Sequence, residues 1–183
     1  MLETDRLILR PFQERDCADV YEYTNLQTVH CFADMHLESA EAALQEVLRR
    51  QADADFYLAI CLKESGKVIG EVFAHPEATA PGEADEDTFS PCWMLHPDYQ
   101  GKGYAYEAVR AYFDYLFQER GARRLYAYTE DDNLPSQRLC EKLGMRREGL
   151  FLEFVTFVNH PDGTPLYENT IQYAILKREW SAQ

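Results

Sequence analysis

Two glycines and a small alanine, spaced closely between an apolar run and an amphipathic stretch, form the most chemically informative segment of this sequence. Gly101, Gly103 and Ala105 fall within HPDYQGKGYAYEA, residues 96–108. The first turn of a helix leaves backbone N–H groups without intrahelical partners and carries partial positive charge. Glycines remove the Cβ atoms that would keep a phosphate from those N–H groups, and Lys102 could add a cation. The segment therefore predicts a phosphate-binding loop.

These glycines also have a purely structural explanation, because any turn from a strand into a helix can carry them. Their spacing meets neither the G-x-G-x-x-G dinucleotide pattern nor the P-loop pattern. No His-x-x-His pair or carboxylate cluster indicates a metal site. The five cysteines are widely spaced, without a C-x-x-C pair, which predicts buried thiols in a reducing compartment rather than disulfides.

Hydrophobic periodicity indicates the elements that must position this loop. In chain order we expect a strand over 6–10, helices over 16–23 and 38–51, a hairpin of 56–62 with 68–73, a strand over 88–95, a helix from 105 to about 121, a strand over 125–129, a helix over 135–143, and strands over 146–158 and 166–176. Ser39 is the expected N-cap of the second helix, and Pro91 predicts a bulge. Residues 76–87, with five acids and two prolines, predict a solvated loop. Residues 1–183 should form one α/β domain.

Length and charge restrict the possible functions. The chain has 183 residues, 46% of them hydrophobic, and a formal net charge of -14. Such an excess of acids argues against binding duplex nucleic acid or an anionic membrane. It serves either solubility or a cationic partner, such as an amine, a polyamine or a basic peptide. The N-terminus has no signal-peptide core and no apolar run reaches the length of a membrane span, so we expect a cytoplasmic protein.

Several motifs together resemble the GNAT N-acetyltransferases, and within them the ribosomal-protein N-terminal acetyltransferase branch (RimJ/RimL type). Gln100, Gly103 and Ala105 match the Q-x-x-G-x-A of that superfamily's coenzyme A pyrophosphate loop. Four further stretches are similar to that branch and occur in its order: LETDRLILRP at 2–11, GYAYEA at 103–108, the N-x-x-S…K-L-G run within 133–144, and YAILKREW at 173–180.

This resemblance implies acetyl-coenzyme A-dependent acetylation of an amine, without a metal. It implies a mixed, mostly antiparallel sheet with helices on both faces, splayed between its fourth and fifth strands, 88–95 and 125–129. The thioester would lie in that gap, and the pantetheine would pair with the backbone of Met94, Leu95 and His96. The pyrophosphate would lie on the backbone amides of the loop: Gln100, Gly101, Lys102, Gly103, Tyr104 and Ala105.

Amide formation from a thioester needs an unprotonated amine, a stabilised carbonyl oxygen and a protonated leaving thiol. By family position Ser136 would hydrogen-bond the thiol sulfur, Asn133 would contact the cofactor, and Glu153 would be the base. Asn133 and Ser136 are also explained as an N-cap pair before Pro135, and Glu153 as a solvent-facing strand residue. Glu71, midway along an apolar strand, is a second base candidate, or else a charge at a hairpin edge.

Some features leave the function open. Cys92 and Trp93 stand where the branch commonly has glycine followed by tyrosine or an aliphatic residue, and the carboxylate often found before that pair is absent. His30 and His36 lie in a segment that borders the acceptor site in similar folds. The leading hypothesis is an enzyme acting on a protein N-terminus or a small cationic amine. The alternatives are an acyl-coenzyme A-binding module without turnover and an acidic scaffold. A homodimer is compatible with any of them.

Overall fold

Eight strands form one sheet in the part of the chain that this computed structural model describes, residues 1–80 and 83–181. The strands are β1 Leu2–Glu3, β2 Leu7–Arg10, β3 Tyr57–Leu62, β4 Val68–Ala80, β5 Glu83–Leu95, β6 Arg124–Glu130, β7 Arg146–Asn159 and β8 Pro165–Leu176. Their spatial order is β1-β2-β3-β4-β5-β6-β8-β7. Neighbouring strands are antiparallel except β5 and β6, which run parallel, so the expected mixed, mostly antiparallel sheet is confirmed.

The helices pack on both faces of this sheet, as expected. They are α1 Cys17–Asn25, α2 Ala40–Ala52, α3 Tyr104–Gln118, α4 Leu134–Lys142 and α5 Lys177–Trp180, with 3₁₀ turns at Glu14–Asp16, His30–Met35 and Pro97–Tyr99. One apolar cluster joins the sheet to α3 and α4, and a second joins it to α1 and α2. Ser39 Oγ accepts a hydrogen bond from the Ala42 N–H at 3.1 Å, which confirms Ser39 as the N-cap of α2.

The interior strand β3 shows why the sheet is covered on both sides. All six residues of YLAICL are buried. Leu58, Ile60 and Leu62 join the cluster with α3, whereas Tyr57, Ala59 and Cys61 join the cluster with α1 and α2. Because side chains alternate across a strand, a continuous apolar run requires an apolar layer on each face.

The sheet separates between β5 and β6, the strands predicted over 88–95 and 125–129. They are fifth and sixth in chain order because the short β1 precedes the predicted first strand. These strands pair only at Thr88 with Arg124 and at Phe89 with Leu125. From Ser90 onward β5 keeps its pairing with β4 on one side alone. The predicted splay is therefore confirmed, and it leaves an open strand edge beside β6.

The predicted loop over 76–87 is wrong, because β4 and β5 continue through most of it as a hairpin. Glu77 pairs with Asp85, and the register shifts between Pro76 and Glu77. Such a β-bulge is where a strand accepts a proline, which cannot donate to the ladder. Pro81 and Gly82 lie outside the described residues.

The bulge predicted at Pro91 is also wrong, since β4 and β5 keep one register from Gly70–Leu95 to Pro76–Phe89. The N–H of His96 donates to Ile69 O of β4 at 2.7 Å. Main-chain groups of successive residues in an antiparallel pair face alternate sides. Residues 92, 94 and 96 therefore face β4, whereas Pro91 directs its missing N–H to the open edge, where no ladder bond is lost.

Candidate active site

An open cavity of about 1010 Å³ lies where β5 and β6 separate. Residues of β5, β6, β8 and α4 line it, together with the 3₁₀ turn at His30–Met35 and the loop that follows β5. Eight of the residues predicted from the sequence line this one cavity: Met94, Leu95, Gln100, Gly101, Gly103, Ala105, Asn133 and Ser136. His96, Lys102, Tyr104 and Glu153 are not in the lining.

The glycine loop has the backbone shape that an anion site at a helix start requires. Gly101 and Gly103 have φ of +72° and +84°, in the left-handed region that favours glycine. A Cβ on Gly101 would meet no atom within 4 Å, so the loop is open above it. Gly103 is the N-cap of α3 and makes no side-chain cap, which leaves the first-turn amides for another partner. A bound phosphate is such a partner.

Arg6 and Glu107 clamp this loop to the start of the sheet. Glu107, in the first turn of α3, accepts hydrogen bonds from Thr4 Oγ1 at 2.6 Å and from the N–H and Nε of Arg6 at 2.7 Å each. Arg6 Nη1 also donates to Lys102 O at 3.0 Å, and its guanidinium lies 4.3 Å from the centroid of the Tyr104 ring. Burial raises the pKa of Glu107, but the hydrogen bonds from Thr4 and Arg6 outweigh it and lower the pKa overall.

The open edge of β5 presents the main-chain groups of Trp93 and Leu95. Leu95 O accepts hydrogen bonds from the side-chain amides of Gln100 at 3.1 Å and Gln27 at 3.3 Å. The N–H of His96 is committed to β4, as described above. On the other side Gly70 allows the close approach of β4, because a Cβ there would lie 2.2 Å from Met94 O. The pairing with β4 on the opposite side therefore fixes the position of this edge.

His96 supports the loop rather than lining the cavity. Its side chain is 2% exposed, and its Nδ1 accepts a hydrogen bond from the Asp98 N–H at 3.1 Å. Its Nε2 lies 3.4 Å from Glu22 Oε1 of α1. The imidazole therefore fixes the turn Pro97–Tyr99 that leads from β5 into the glycine loop.

The start of α4 brings two predicted residues to the cavity. Asn133 Oδ1 accepts a hydrogen bond from the Ser136 N–H at 3.2 Å, which confirms the N-cap explanation of this pair. Asn133 Nδ2 donates to Glu130 Oε2 at 3.2 Å. Because Asn133 and Ser136 also line the cavity, capping and a contact to a bound ligand are compatible.

Neither carboxylate suggested as a base lines the cavity. Glu153 is exposed at an irregular stretch of β7 with φ of +47°, and its N–H donates to Asn169 Oδ1 at 3.0 Å. Glu71 is fully buried on β4, which is paired on both sides and so is not a hairpin edge. Glu71 Oε2 lies 2.5 Å from Arg50 Nη1 and accepts from Tyr23 OH at 2.7 Å. The structure therefore places Glu71 in a buried ion pair.

Sequence reasoning missed three carboxylates that do line the cavity, Glu130 of β6, Asp132 just after β6 and Glu168 of β8. Glu130 accepts hydrogen bonds from the Cys31 N–H at 3.3 Å and from Asn133. Burial raises its pKa, but its hydrogen bonds with Cys31 and Asn133 outweigh that effect and lower the pKa overall. Glu168 Oε1 pairs with Nδ1 of His30. The single signal in the sequence was the position of His30 in a segment expected to border the acceptor site.

A sheet splayed between two parallel strands, with a glycine loop and a helix start at the gap, defines the class of coenzyme A-dependent acetyltransferases. The family model described as acetyltransferase (GNAT) domain matches residues 6–146. The uncharacterized N-acetyltransferase YnaD of Bacillus subtilis is 32% identical over 180 residues, which cover 98% of this chain and 99% of YnaD. The chain therefore belongs to the GNAT acetyltransferase family and is an acetyl-coenzyme A-dependent acyltransferase.

Solved structures agree with this assignment. An acetyltransferase of the GNAT family from Bacillus anthracis superimposes with a TM-score of 0.83 at 29% identity, covering 97% of this chain and 99% of that one. The ribosomal-protein-S5-alanine acetyltransferase from Vibrio fischeri superimposes with a TM-score of 0.73, covering 97% of each chain. At 20% identity the similarity to the Vibrio fischeri enzyme shows a shared fold, and the RimJ/RimL resemblance is therefore one of fold.

Three further findings concern the described residues. All five cysteines are free. None of the helices in the described ranges is long and apolar enough to cross a membrane. Within those same ranges, no three His, Cys, Asp or Glu side chains come together as a metal site would need.

Proposed function

We propose that this protein transfers the acetyl group of acetyl-coenzyme A to a primary amine that is cationic in solution, such as a small amine or a peptide N-terminus. One observation carries the proposal. A single cavity joins an anion-binding glycine loop to a wall of carboxylates across an open strand edge. The loop suits the phosphates of the cofactor, the edge suits its amide-bearing arm, and the carboxylates suit an ammonium.

The cofactor side is formed by the loop at 100–105 and by α4. Besides the loop amides, α4 contributes two basic residues to the lining, Arg138 and Lys142. Lys142 Nζ lies 4.2 Å from the centroid of the Tyr106 ring on α3, so one cation sits beside the helix that begins at the loop. Met94, Leu95 and His96 were the expected partners of the pantetheine. Because main-chain groups alternate, we expect Trp93 and Leu95 to supply the hydrogen bonds.

The acceptor side carries negative charge. Glu130, Asp132 and Glu168 line the cavity, and hydrogen bonds that lower the pKa of Glu130 keep it ionised at neutral pH. A partly buried carboxylate attracts an ammonium more strongly than one in open water, because the local dielectric constant is lower. This wall supports a cationic acceptor over an anionic or neutral one.

Three groups of this chain would then serve the chemistry. A main-chain N–H on the open edge of β5 would stabilise the carbonyl oxygen as charge develops there. Ser136, at the first turn of α4, would donate its hydroxyl to the departing thiolate. A base must take the proton of the ammonium, and Glu153 remains a prediction for that role.

The test measures release of free thiol from acetyl-coenzyme A with a panel of polyamines, aralkylamines and peptides with free N-termini. We expect turnover with at least one cationic amine and none with an N-acetylated control. Ser136→Ala should lower kcat by about a hundredfold or more, within the range of positioned proton donors, without weakening acetyl-coenzyme A binding. Tight cofactor binding without thiol release from any amine would instead identify a binding module, and no binding at millimolar cofactor would exclude both functions.

A further inference from the structure

One imidazole–carboxylate pair lies in the wall of the cavity. His30 belongs to the 3₁₀ turn His30–Met35 and Glu168 to β8, and both residues line the cavity. His30 Nδ1 contacts Glu168 Oε1. The Glu168 side chain is 15% exposed, whereas that of His30 is 47% exposed. The carboxylate is therefore the buried member of the pair, and the ring is the accessible one.

This arrangement determines which nitrogen of the ring can act. A carboxylate at Nδ1 holds the proton on that nitrogen and directs the lone pair of the neutral ring to Nε2. The second oxygen of Glu168, Oε2, is buried and has no hydrogen-bond partner among the described residues. Glu168 therefore contacts one polar partner, His30, and this contact orients the imidazole ring.

The other titratable groups around His30 are less suited to accept a proton. Glu130 is ionised, but its two oxygens are engaged by Cys31 and Asn133. Burial raises the pKa of the Cys31 and Cys92 thiols, that of Cys92 to about 12, so both stay protonated. Tyr128 of β6 and Asp132, which follows β6, also line the cavity. The elements α1 and β7 also pack near the turn but contribute nothing to the described lining.

We propose that His30, positioned by Glu168, is the base that takes the proton from the ammonium of the acceptor. The inference rests on the proposed function and gives His30 the base role that the family resemblance implied for Glu153. Nε2 of His30 removes one proton from R–NH₃⁺. The nitrogen lone pair then forms the N–C bond to the acetyl carbonyl as the C–S bond breaks. The departing sulfur takes a proton from the Ser136 hydroxyl, and the second nitrogen proton restores that hydroxyl. His30 returns its own proton to solvent, for which its exposure is sufficient.

The experiment compares pH profiles of kcat/KM in His30→Gln, Glu168→Gln and the matched control His75→Gln. His75 is 51% exposed and lies 3.6 Å from Asp53, as a histidine–carboxylate pair outside the cavity lining. We expect His30→Gln to lose about a hundredfold or more in rate and to lose the acid limb of the profile. The ionisation of the amine is the same with all variants, so a difference between their pH profiles comes from an ionisable group of the enzyme.

The two members of the pair should differ in their effects. Glu168→Gln keeps the imidazole and removes the carboxylate that orients it, so it should lower kcat/KM less than His30→Gln does and should keep the acid limb. His75→Gln should match the wild type. Added imidazole should restore rate to His30→Ala, which a purely structural histidine would not allow.

The outcomes separate this inference from the proposed function. Wild-type protein without turnover on any amine overturns both. A wild type that turns over, with an unaltered acid limb in His30→Gln, overturns the role of His30 alone. The role of His30 is likewise overturned if Glu153→Gln loses the acid limb and His30→Gln keeps it.

Discussion

Asn133 illustrates how one side chain can serve the fold and the site together. The sequence left two explanations for it, an N-cap and a cofactor contact, because Asn-x-Pro is a favoured helix entry. The structure confirms the cap and also places Asn133 in the cavity lining. A residue whose conformation is fixed by capping is pre-organised for a ligand, which explains why the sequence alone could not separate the two roles.

Gly103 offers a prediction at the scale of a residue. An alanine at φ of +84° should cost about 1–2 kcal/mol, and its Cβ would lie 3.3 Å from Arg6 Nη2. We expect Gly103→Ala to lose stability in denaturant unfolding and to weaken coenzyme A binding about tenfold or more, measured by calorimetry.

Gly66→Ala is the matched control. Gly66 has φ of +72° in the turn between β3 and β4, and no atom lies within 4 Å of the Cβ site. It should lose similar stability and keep its affinity for coenzyme A. Equal affinity in the two variants would mean that the loop does not hold the phosphates.

The pair of His30 and Glu168 could not be found from sequence spacing. The two residues are separated by 138 positions. They meet because β8 lies between β6 and β7 in the sheet, so that β8 stands next to the cavity. Periodicity predicts the existence of these strands, but it contains no information on which neighbour each of them takes.

At the scale of elements, amino-acid composition predicted a loop over 76–87, whereas strand pairing forms a hairpin there. The acids and prolines of 76–87 are typical of a loop, yet β4 and β5 run through most of this segment. Pro76 is accommodated beside a register shift, and Pro91 at an edge without a partner strand. Proline cannot donate to a ladder, and each of these two lies where its missing N–H breaks no ladder bond: Pro76 beside the register shift and Pro91 facing the open edge.

The second prediction concerns the hydrogen bonds that join Glu107 of α3 to Thr4 and Arg6, just before β2. Glu107 has a lowered pKa, so its contribution to stability is present above the ordinary carboxyl pKa of about 4.3. That contribution is lost as the pH falls through the lowered value, because the unfolded state then binds the extra proton. We expect Glu107→Gln to cost about 1 kcal/mol at pH 7 and to flatten the loss of stability between about pH 5 and 3.

Glu148→Gln is the control that separates the effect of the Glu107 hydrogen bonds from acid stability in general. Glu148 of β7 also has a lowered pKa, from hydrogen bonds with Arg124 and Arg146, and does not line the cavity. Both variants should flatten the acid transition in urea unfolding, but Glu107→Gln alone should weaken coenzyme A binding. Unchanged affinity in Glu107→Gln would show that the clamp is not needed to shape the loop.

For the whole molecule, the structure shows where charged groups lie in a protein whose net charge is -14. An acidic protein that takes an anionic cofactor must bind it through helix-end amides and a few nearby cations. The glycine loop and α4 offer both. The carboxylates Glu130 and Glu168 stand in the same cavity, where we propose that a cationic acceptor binds. The sequence could predict the fold class and the loop because both have local patterns. The carboxylates Glu130 and Glu168 come from strands far apart in the sequence, so no local pattern marks them.

The most direct test is a crystal structure of the protein with bound coenzyme A. We predict that the pantetheine lies in the gap between β5 and β6, paired with the main chain of Trp93 and Leu95. The pyrophosphate should lie on the amides of 100–105, and the sulfur near Ser136 on the side that leads to Glu130 and Glu168. Coenzyme A bound elsewhere, or phosphates away from Gly101 and Gly103, would contradict the assignment of this cavity as the site of acetyl transfer.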